Sequence, residues 1–132
     1  MKNILLSAAF LLAGALATYA AKVDTIQIRS QAMHKSIKCV VVRPDAYNKQ
    51  KGRKFPVIYL LHGYSGSYAD WVRKAPGMTK LADTYQCMIV CPDGGYGSWY
   101  FDSPVDSSWK FETYVGKEIP AYIDSHYRTL AD

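Results

Sequence analysis

The sequence has few of the residues that cross-link a small protein or bind a metal. It contains only three cysteines, which do not make a disulfide framework, and no cysteine–histidine spacing resembles a zinc site. Cys87 and Cys91 lie four residues apart in a predicted strand, roughly 13 Å, too far to bridge each other. Cys39 can still pair with either, but we favour three buried free thiols. We expect no metal and no other cofactor.

A membrane-spanning run is also missing. The apolar run from Ile4 to Leu16 is shorter than the roughly 20 residues of a spanning helix. It follows an early lysine and precedes small residues, so residues 1–20 are predicted to be a secretory signal peptide ending at Ala17 or Ala20. Lipidation is not expected, because the first cysteine is Cys39. The predicted location is secreted or periplasmic, with no stable membrane insertion after cleavage.

The excess of positive charge is small and scattered. The formal net charge is +5, and one basic cluster occurs, in "NKQKGRKF" from Asn48 to Phe55. This cluster lies in a predicted loop without aromatic interleaving, so we favour a solvated loop over a nucleic-acid or lipid patch. We expect no nucleic-acid partner. Hydrophobic residues make up 49% of the chain, which argues against disorder.

The order of apolar segments predicts one α/β domain over residues 21–132, with no repeat and no linker. Residues 23–28 and 36–42 are predicted to pair as an antiparallel hairpin, and residues 87–91 form an apolar strand. The run "FPVIYLL" at 55–61 is apolar throughout, which is typical of a strand buried on both faces. A short helix is predicted at 78–85. A second helix starts at Phe111, with Pro120 kinking or restarting it.

No G-x-S-x-G motif, the pattern of a nucleophilic serine on a sharp turn, occurs in the sequence. The nearest match, residues 63–67, has Ser67 where the second glycine belongs. Ser65 is also followed by Gly66 and a nearby Pro-Gly break instead of a regular helix. The available histidine, His126, lies on the apolar face of the second helix, where a structural role is more common. We therefore disfavour Ser65 as a nucleophile.

The same segment fits a different role in acyl transfer. Backbone N–H groups aimed at a developing oxyanion stabilise its transition state, and one such donor comes from a glycine-containing loop after a strand. Gly63 is predicted to keep this turn open, and the Tyr64 N–H is the candidate donor. An ordinary glycine turn explains the segment equally well. His62 is expected to pack or hydrogen-bond under the turn, and Asp93 to cap the following loop.

Three segments together carry a resemblance: "FPVIYLLHGYSGSYADW", "MIVCPDGGYGSWYFDSP" and "WKFETYVGKEIPAYIDSHYR". In this order they resemble the N-terminal half of the esterase D family of α/β-hydrolases, over residues 23–128. The resemblance implies the fold class α/β: the N-terminal half of an α/β-hydrolase sheet, with an antiparallel β-hairpin followed by parallel strands and flanking helices. It also implies an oxyanion role for Tyr64 and a substrate-binding role for Gly95, Trp99 and Tyr100. For Trp99 and Tyr100, loop packing is an equally good interpretation.

In this family the serine, acid and histidine follow the segment that ends near His126. We therefore expect residues 21–132 to be a partial esterase domain that stops before the nucleophile, inactive alone, from a secreted hydrolase of carboxylic esters. Export favours a small-molecule or polysaccharide ester, of the feruloyl or acetyl-xylan type, over the cytosolic formylglutathione branch. The alternative is a non-catalytic secreted module that binds carbohydrate through the aromatic loop 94–109.

Overall fold

The computed structural model of this protein describes residues 20–131. The predicted signal peptide lies outside the described residues except for Ala20. Within residues 20–131, no helix has both the length and the apolar character needed to cross a membrane.

Four strands form one mixed sheet. They are β1 (Lys22–Ser30), β2 (Lys35–Arg43), β3 (Val57–Tyr59) and β4 (Met88–Pro92), in the spatial order β1-β2-β4-β3. The β1–β2 hairpin is antiparallel, β2 and β4 are antiparallel, and β3 and β4 are parallel. The predicted α/β class and the antiparallel hairpin at its start are confirmed.

Five α-helices flank this sheet within the described residues. They are α1 (Asp45–Lys49), α2 (Asp70–Lys74), α3 (Met78–Tyr85), α4 (Phe111–Thr113) and α5 (Ile119–His126). The predicted bounds of α3 are confirmed, whereas α1 lies between the apolar segments 36–42 and 55–61, where no helix was predicted. That helix is one turn long, with an acidic residue in its first turn and a basic one in its last. Both charges suit the helix dipole.

A π-helical segment, Tyr114–Glu118, joins α4 to α5. Pro120 lies in the first turn of α5. It has no N–H to donate to the carbonyl of Gly116 four residues earlier, so the regular α-helical ladder cannot continue through it. The predicted interruption of this helix at Pro120 is confirmed. On the predicted apolar face, Phe111, Tyr114, Ile119 and Ile123 are buried, but His126 is exposed.

The core has two parts, one on each face of the sheet. On one face, β-strand residues such as Val41 and Val90 pack with buried residues of the segment 111–123. On the other face, residues such as Val42 and Ile89 pack with Met78 and Ala82 of α3. Every residue of β4 is buried, because this strand has a neighbour on both edges and cover on both faces.

The prediction that "FPVIYLL" is buried on both faces is wrong. Ile58 in β3 is 46% exposed and Leu61 is 38% exposed. Among the described residues β3 pairs only with β4, so it is an edge strand, and α3 covers Ile89 but leaves the neighbouring Ile58 open to solvent.

All three cysteines are free and buried, as favoured from the sequence. The register explains why no disulfide forms between β2 and β4. Val40 pairs with Cys91, and side chains alternate along a strand, so Cys39 and Cys91 face opposite sides of the sheet. Burial raises the pKa of both thiols to about 12, and both stay protonated at neutral pH.

Candidate active site

Two loops meet at one edge of the sheet. The β3 loop (residues 60–69) follows β3, and the β4 loop (residues 93–110) follows β4. Because β3 and β4 are parallel neighbours, both loops leave the sheet at its carboxyl end, where ligand sites of open α/β sheets form.

The β3 loop contains a tight turn from Gly63 to Gly66. The Gly66 N–H donates to the Gly63 carbonyl at 3.0 Å, and Ser65, the third residue of the turn, has φ +57°. A positive φ at this position is typical of a type II turn. Ser65 N–H donates to the Tyr96 carbonyl in the β4 loop at 2.8 Å. The N–H of Tyr64, by contrast, has no acceptor among residues 20–131, so it is available to a ligand.

Glycine is required at one end of this turn more than at the other. A Cβ built on Gly66 would lie 2.9 Å from His62 Nδ1, whereas a Cβ on Gly63 would have nothing within 4 Å. The sequence analysis predicted that glycine at position 63 keeps the turn open. In the structure, the position that has no room for a side chain is Gly66.

His62 joins the two loops from beneath. Its side chain is buried, and its Nε2 lies 2.8 Å from the Gly94 N–H. An amide can only donate, so Nε2 is the acceptor and the proton of the neutral ring sits on Nδ1. That proton is donated to the Gly63 carbonyl at 2.8 Å. The 3.9 Å contact between Nε2 and Asp93 is therefore not an ion pair. The hydrogen-bonding role predicted for His62 is confirmed.

Asp93 caps the beginning of the β4 loop. Its carboxylate accepts the Gly95 N–H at 2.8 Å and, from the β3 loop, the Tyr68 N–H at 3.4 Å. The predicted role as a turn cap is confirmed, and Asp93 thus also links the two loops.

Tyr100 packs inside the junction. Its hydroxyl donates to the His62 carbonyl at 2.9 Å, and burial raises its pKa to about 12, so this donor stays protonated. A Cβ on Gly94 would lie 2.2 Å from the Tyr100 ring, so only glycine allows this ring to lie against the backbone. This contact matches the loop-packing interpretation of Tyr100, and its role in substrate binding stays a prediction.

Three other aromatic rings stand at the surface of the junction. The Tyr64 ring contacts Tyr96 edge-on, with centroids 5.1 Å apart, and stacks on Trp99 at 6.0 Å. Trp99 is 76% exposed. Trp99 and Tyr100 have φ +53° and +55°, a left-handed conformation that costs roughly 1–2 kcal/mol for each residue. The surrounding contacts hold this strained segment in place.

A cavity of about 140 Å³ lies between the loops. The predicted site residues Gly63, Tyr64, Gly95, Trp99 and Tyr100 all line it, so the structure brings together every one of them. The other lining residues are His62, Tyr96, Gly97 and Ser98. Sequence reasoning did not single out the last three as site residues, although they belong to the predicted aromatic loop.

A model of the family described as "Putative esterase" matches residues 30–132. This chain belongs to that esterase family. Esterase Rv1288 of Mycobacterium tuberculosis (strain ATCC 25618 / H37Rv) is 35% identical over 98 residues, which cover 70% of this chain and 20% of that protein. An acetyl esterase of Caldicellulosiruptor saccharolyticus is 37% identical over 62 residues, 47% of this chain and 22% of that protein.

Two solved hydrolase structures show the same fold. A ferulic acid esterase superposes with a TM-score of 0.74 at 28% identity, over 86% of this chain and 46% of that one. An S-formylglutathione hydrolase from Agrobacterium tumefaciens also gives 0.74, at 19% identity, over 84% and 46%. The described sheet is therefore part of an α/β-hydrolase fold. The chain spans about a fifth of the curated esterases and under half of these structures.

Among residues 20–131, the serine–histidine contact is that of Ser125 with His126. Both ring nitrogens of His62 are engaged within the junction. His126 stacks on Tyr122 with ring centroids 3.9 Å apart, and its Nδ1 lies 2.9 Å from Ser125 Oγ. That hydroxyl donates to the Tyr122 carbonyl, and the carboxylate of neighbouring Asp124 accepts from Thr129. Within the described residues, no carboxylate therefore joins Ser125 and His126 as the third member of a triad.

Proposed function

We propose that this chain carries the oxyanion side of a serine hydrolase of carboxylic esters. The observation that carries the proposal is the free N–H of Tyr64, in a turn that the neighbouring loop holds rigidly. Membership of the esterase family supports it.

The turn is suited to this role because its donor is preorganised. The Gly63–Gly66 hydrogen bond closes the turn, and His62 and Ser65 tie it to the β4 loop. A donor held in this way needs no reorganisation when negative charge develops on the substrate oxygen. In enzymes of this kind, loss of one oxyanion donor lowers kcat by about 10²–10³.

The Tyr64 donor can be removed without removing the turn. Tyr64 is the second residue of the turn, a position that proline favours, so Tyr64→Pro deletes the N–H and keeps the backbone path. Tyr64→Ala is the matched control, since it loses the same ring and keeps the N–H. We expect acetate, a small oxyanion mimic, to shift the Tyr64 amide resonance in the wild-type chain and to bind Tyr64→Ala but not Tyr64→Pro. If acetate shifts other amide resonances but not that of Tyr64, the proposed oxyanion role of the Tyr64 N–H is refuted.

The nucleophile is proposed to be a serine other than those of residues 20–131. Ser65 has an exposed side chain, and His62 has no nitrogen left to act as its base. We expect the purified 132-residue chain to hydrolyse p-nitrophenyl acetate no faster than buffer. Turnover that disappears in Ser65→Ala would overturn this proposal and make Ser65 the nucleophile.

The substrate is proposed to be an extracellular ester, of a small molecule or a polysaccharide. The predicted signal peptide at residues 1–20 supports export, and the names of two relatives, a ferulic acid esterase and an acetyl esterase, support esters of this kind. The aromatic loop contacts the oxyanion turn directly through Tyr64, Tyr96 and Trp99. This contact favours one ester site over a separate carbohydrate-binding surface. Secretion of a tagged chain with cleavage after Ala17 or Ala20 tests the export.

A further inference from the structure

We propose that a signal peptidase cleaves the chain after Ala20, and that the ammonium group created on Ala21 forms an ion pair with Asp83. Both statements rest on the export proposed above. They go beyond it by selecting one of the two predicted cleavage sites and by giving the new chain terminus a partner in the fold.

Ala21 is the residue at which the chain enters the described fold. Ala20 is exposed and belongs to no strand, whereas Ala21 is half-buried and β1 begins at the next residue. Ala21 also packs against the buried cluster that contains Val42 and Ala82. Cleavage after Ala20 therefore keeps this contact and the whole of β1.

The nitrogen of Ala21 contacts a carboxylate. It lies 2.9 Å from Asp83 Oδ2 and donates its N–H to that oxygen. Asp83 belongs to α3, and its Oδ1 accepts the N–H of Asp45, the first residue of α1, at 2.7 Å. One carboxylate therefore attaches both the residue before β1 and the beginning of α1 to α3.

Cleavage after Ala20 changes the charge of this contact. Hydrolysis breaks the C–N bond between Ala20 and Ala21. The oxygen of the water stays on Ala20, which leaves as a carboxylate, and both protons of the water go to the Ala21 nitrogen, which becomes an ammonium group. A hydrogen bond between ionised partners is roughly twice as strong as a neutral one. Cleavage after Ala17 would instead leave the Ala21 nitrogen as a neutral amide.

The charged side chains of the neighbouring elements form ion pairs of their own. Asp24 of β1 pairs with Lys22 at 3.5 Å and with Arg43 of β2 at 2.5 Å. In α1, Lys49 pairs with Asp45 at 2.5 Å. Within residues 20–131, the carboxylate in hydrogen-bond contact with the future ammonium group is the one on α3.

The ion pair predicts a specific dependence of stability on pH. The α-amino group of an unfolded chain titrates at about pH 8, and a carboxylate beside it in the folded chain favours the charged form and raises its pKa. The stabilisation is therefore fully present below about pH 8 and is lost as pH rises through the folded pKa. If the pKa rises by about one unit, the folding equilibrium constant changes about tenfold.

Two chains that differ in their first residue isolate the ion pair. One starts at Ala21 and the other at Thr18, and both end at residue 132, so both contain every strand and helix of the described fold. Each is released from a fusion partner by a protease that cuts directly before its first residue. Urea denaturation is then measured across pH. Relative to the Thr18 chain, we expect the Ala21 chain to lose about tenfold in its folding equilibrium constant between about pH 7 and pH 10.5. Parallel pH profiles of the two chains would overturn the ion pair.

Asp83→Asn identifies the partner, because asparagine keeps an acceptor oxygen and removes the charge. At about pH 6.5 we expect this substitution to lower the folding equilibrium constant about tenfold more in the Ala21 chain than in the Thr18 chain. Asp70→Asn is the control. Its carboxylate, in α2, bonds to Ser67 and Lys74, so its loss should be equal in the two chains. An equal loss for Asp83→Asn in both chains, or a difference that persists at about pH 10.5, would also overturn the ion pair.

The first residue of the exported chain tests the cleavage site. The 132-residue chain is expressed with its own residues 1–20 in a bacterial host, and the exported product is sequenced from its N-terminus. We expect it to start at Ala21. A product that starts at Thr18 would overturn cleavage after Ala20 and keep the export. A chain that is neither exported nor cleaved would overturn both, whereas Ala21 as the first residue with parallel pH profiles would keep the export and remove the ion pair.

Discussion

His62→Phe is the most informative single change at the loop junction. The phenyl ring fills the space of the buried imidazole, so the variant removes two ring nitrogens without opening a cavity. Gly94 then keeps a buried N–H without an acceptor, which costs about 1–3 kcal/mol. The exposed Gly63 carbonyl loses its partner but can turn to water. We therefore expect the free energy of unfolding to fall by about 1–3 kcal/mol.

Urea denaturation followed by circular dichroism measures this loss. With a dependence of about 1–3 kcal/mol per molar urea, a loss of about 2 kcal/mol moves the midpoint down by about 0.7–2 M. Hydrogen exchange adds a local readout, because the Gly94 amide should lose protection while amides of β4 keep theirs. His126→Phe is the matched control: the same substitution at an exposed histidine is expected to change stability by less than about 0.5 kcal/mol.

A loss at His62 no larger than that of the His126 control would refute the reasoning. So would a Gly94 amide that stays protected in His62→Phe. Either result would mean that the imidazole is not what joins the two loops.

Three further predictions follow from packing and charge. Gly94→Ala is expected to lower the free energy of unfolding by about 1–3 kcal/mol, because the new Cβ would overlap the Tyr100 ring. Gly116→Ala is the control, because the space around its new Cβ is open. Equal urea midpoints for the two variants would contradict the prediction. The three buried thiols are expected not to react with an aromatic disulfide reagent at about pH 8 until the chain unfolds. Rapid labelling of the folded chain would contradict their burial. Hydrogen bonds from the Thr113 side chain and backbone lower the pKa of Asp102. The ionised Asp102 carboxylate therefore stabilises the folded chain above the unfolded pKa of about 3.9, and this stabilisation is lost as pH falls through the folded pKa. Asp102→Asn is expected to destabilise the chain at neutral pH and to match the stability of the wild type in strong acid.

Much of the fold follows from local sequence patterns. The α3 bounds, the β1–β2 hairpin and the break at Pro120 depend on residues close together in the chain, so periodicity and proline geometry predict them. The burial of "FPVIYLL" does not follow in this way. An apolar run gives its own character but not its neighbours, and the exposure of Ile58 is decided by the position of β3 at an edge of the sheet.

The candidate site, too, could be predicted only where it depends on residues close together in the chain. Glycines after apolar strands indicate both loops, and they identify Gly63, Tyr64, Gly95, Trp99 and Tyr100 as a group. The bonds that join the loops connect residues about 30 positions apart, such as the one between His62 and Gly94. No local pattern predicts such a pair, and none predicts the left-handed backbone of Trp99 and Tyr100.

The position of β4 has a consequence for how the chain folds. In space β4 lies between β2 and β3, but in the chain it comes after both. The hairpin of β1 and β2 can form as soon as residue 43 has been made, since its contacts are local. β3, in contrast, has no sheet to join until residues 88–92 exist. Among residues 20–131, the sheet cannot grow strand by strand from one edge during synthesis, because β4, the last of the four described strands in the chain, lies between β2 and β3.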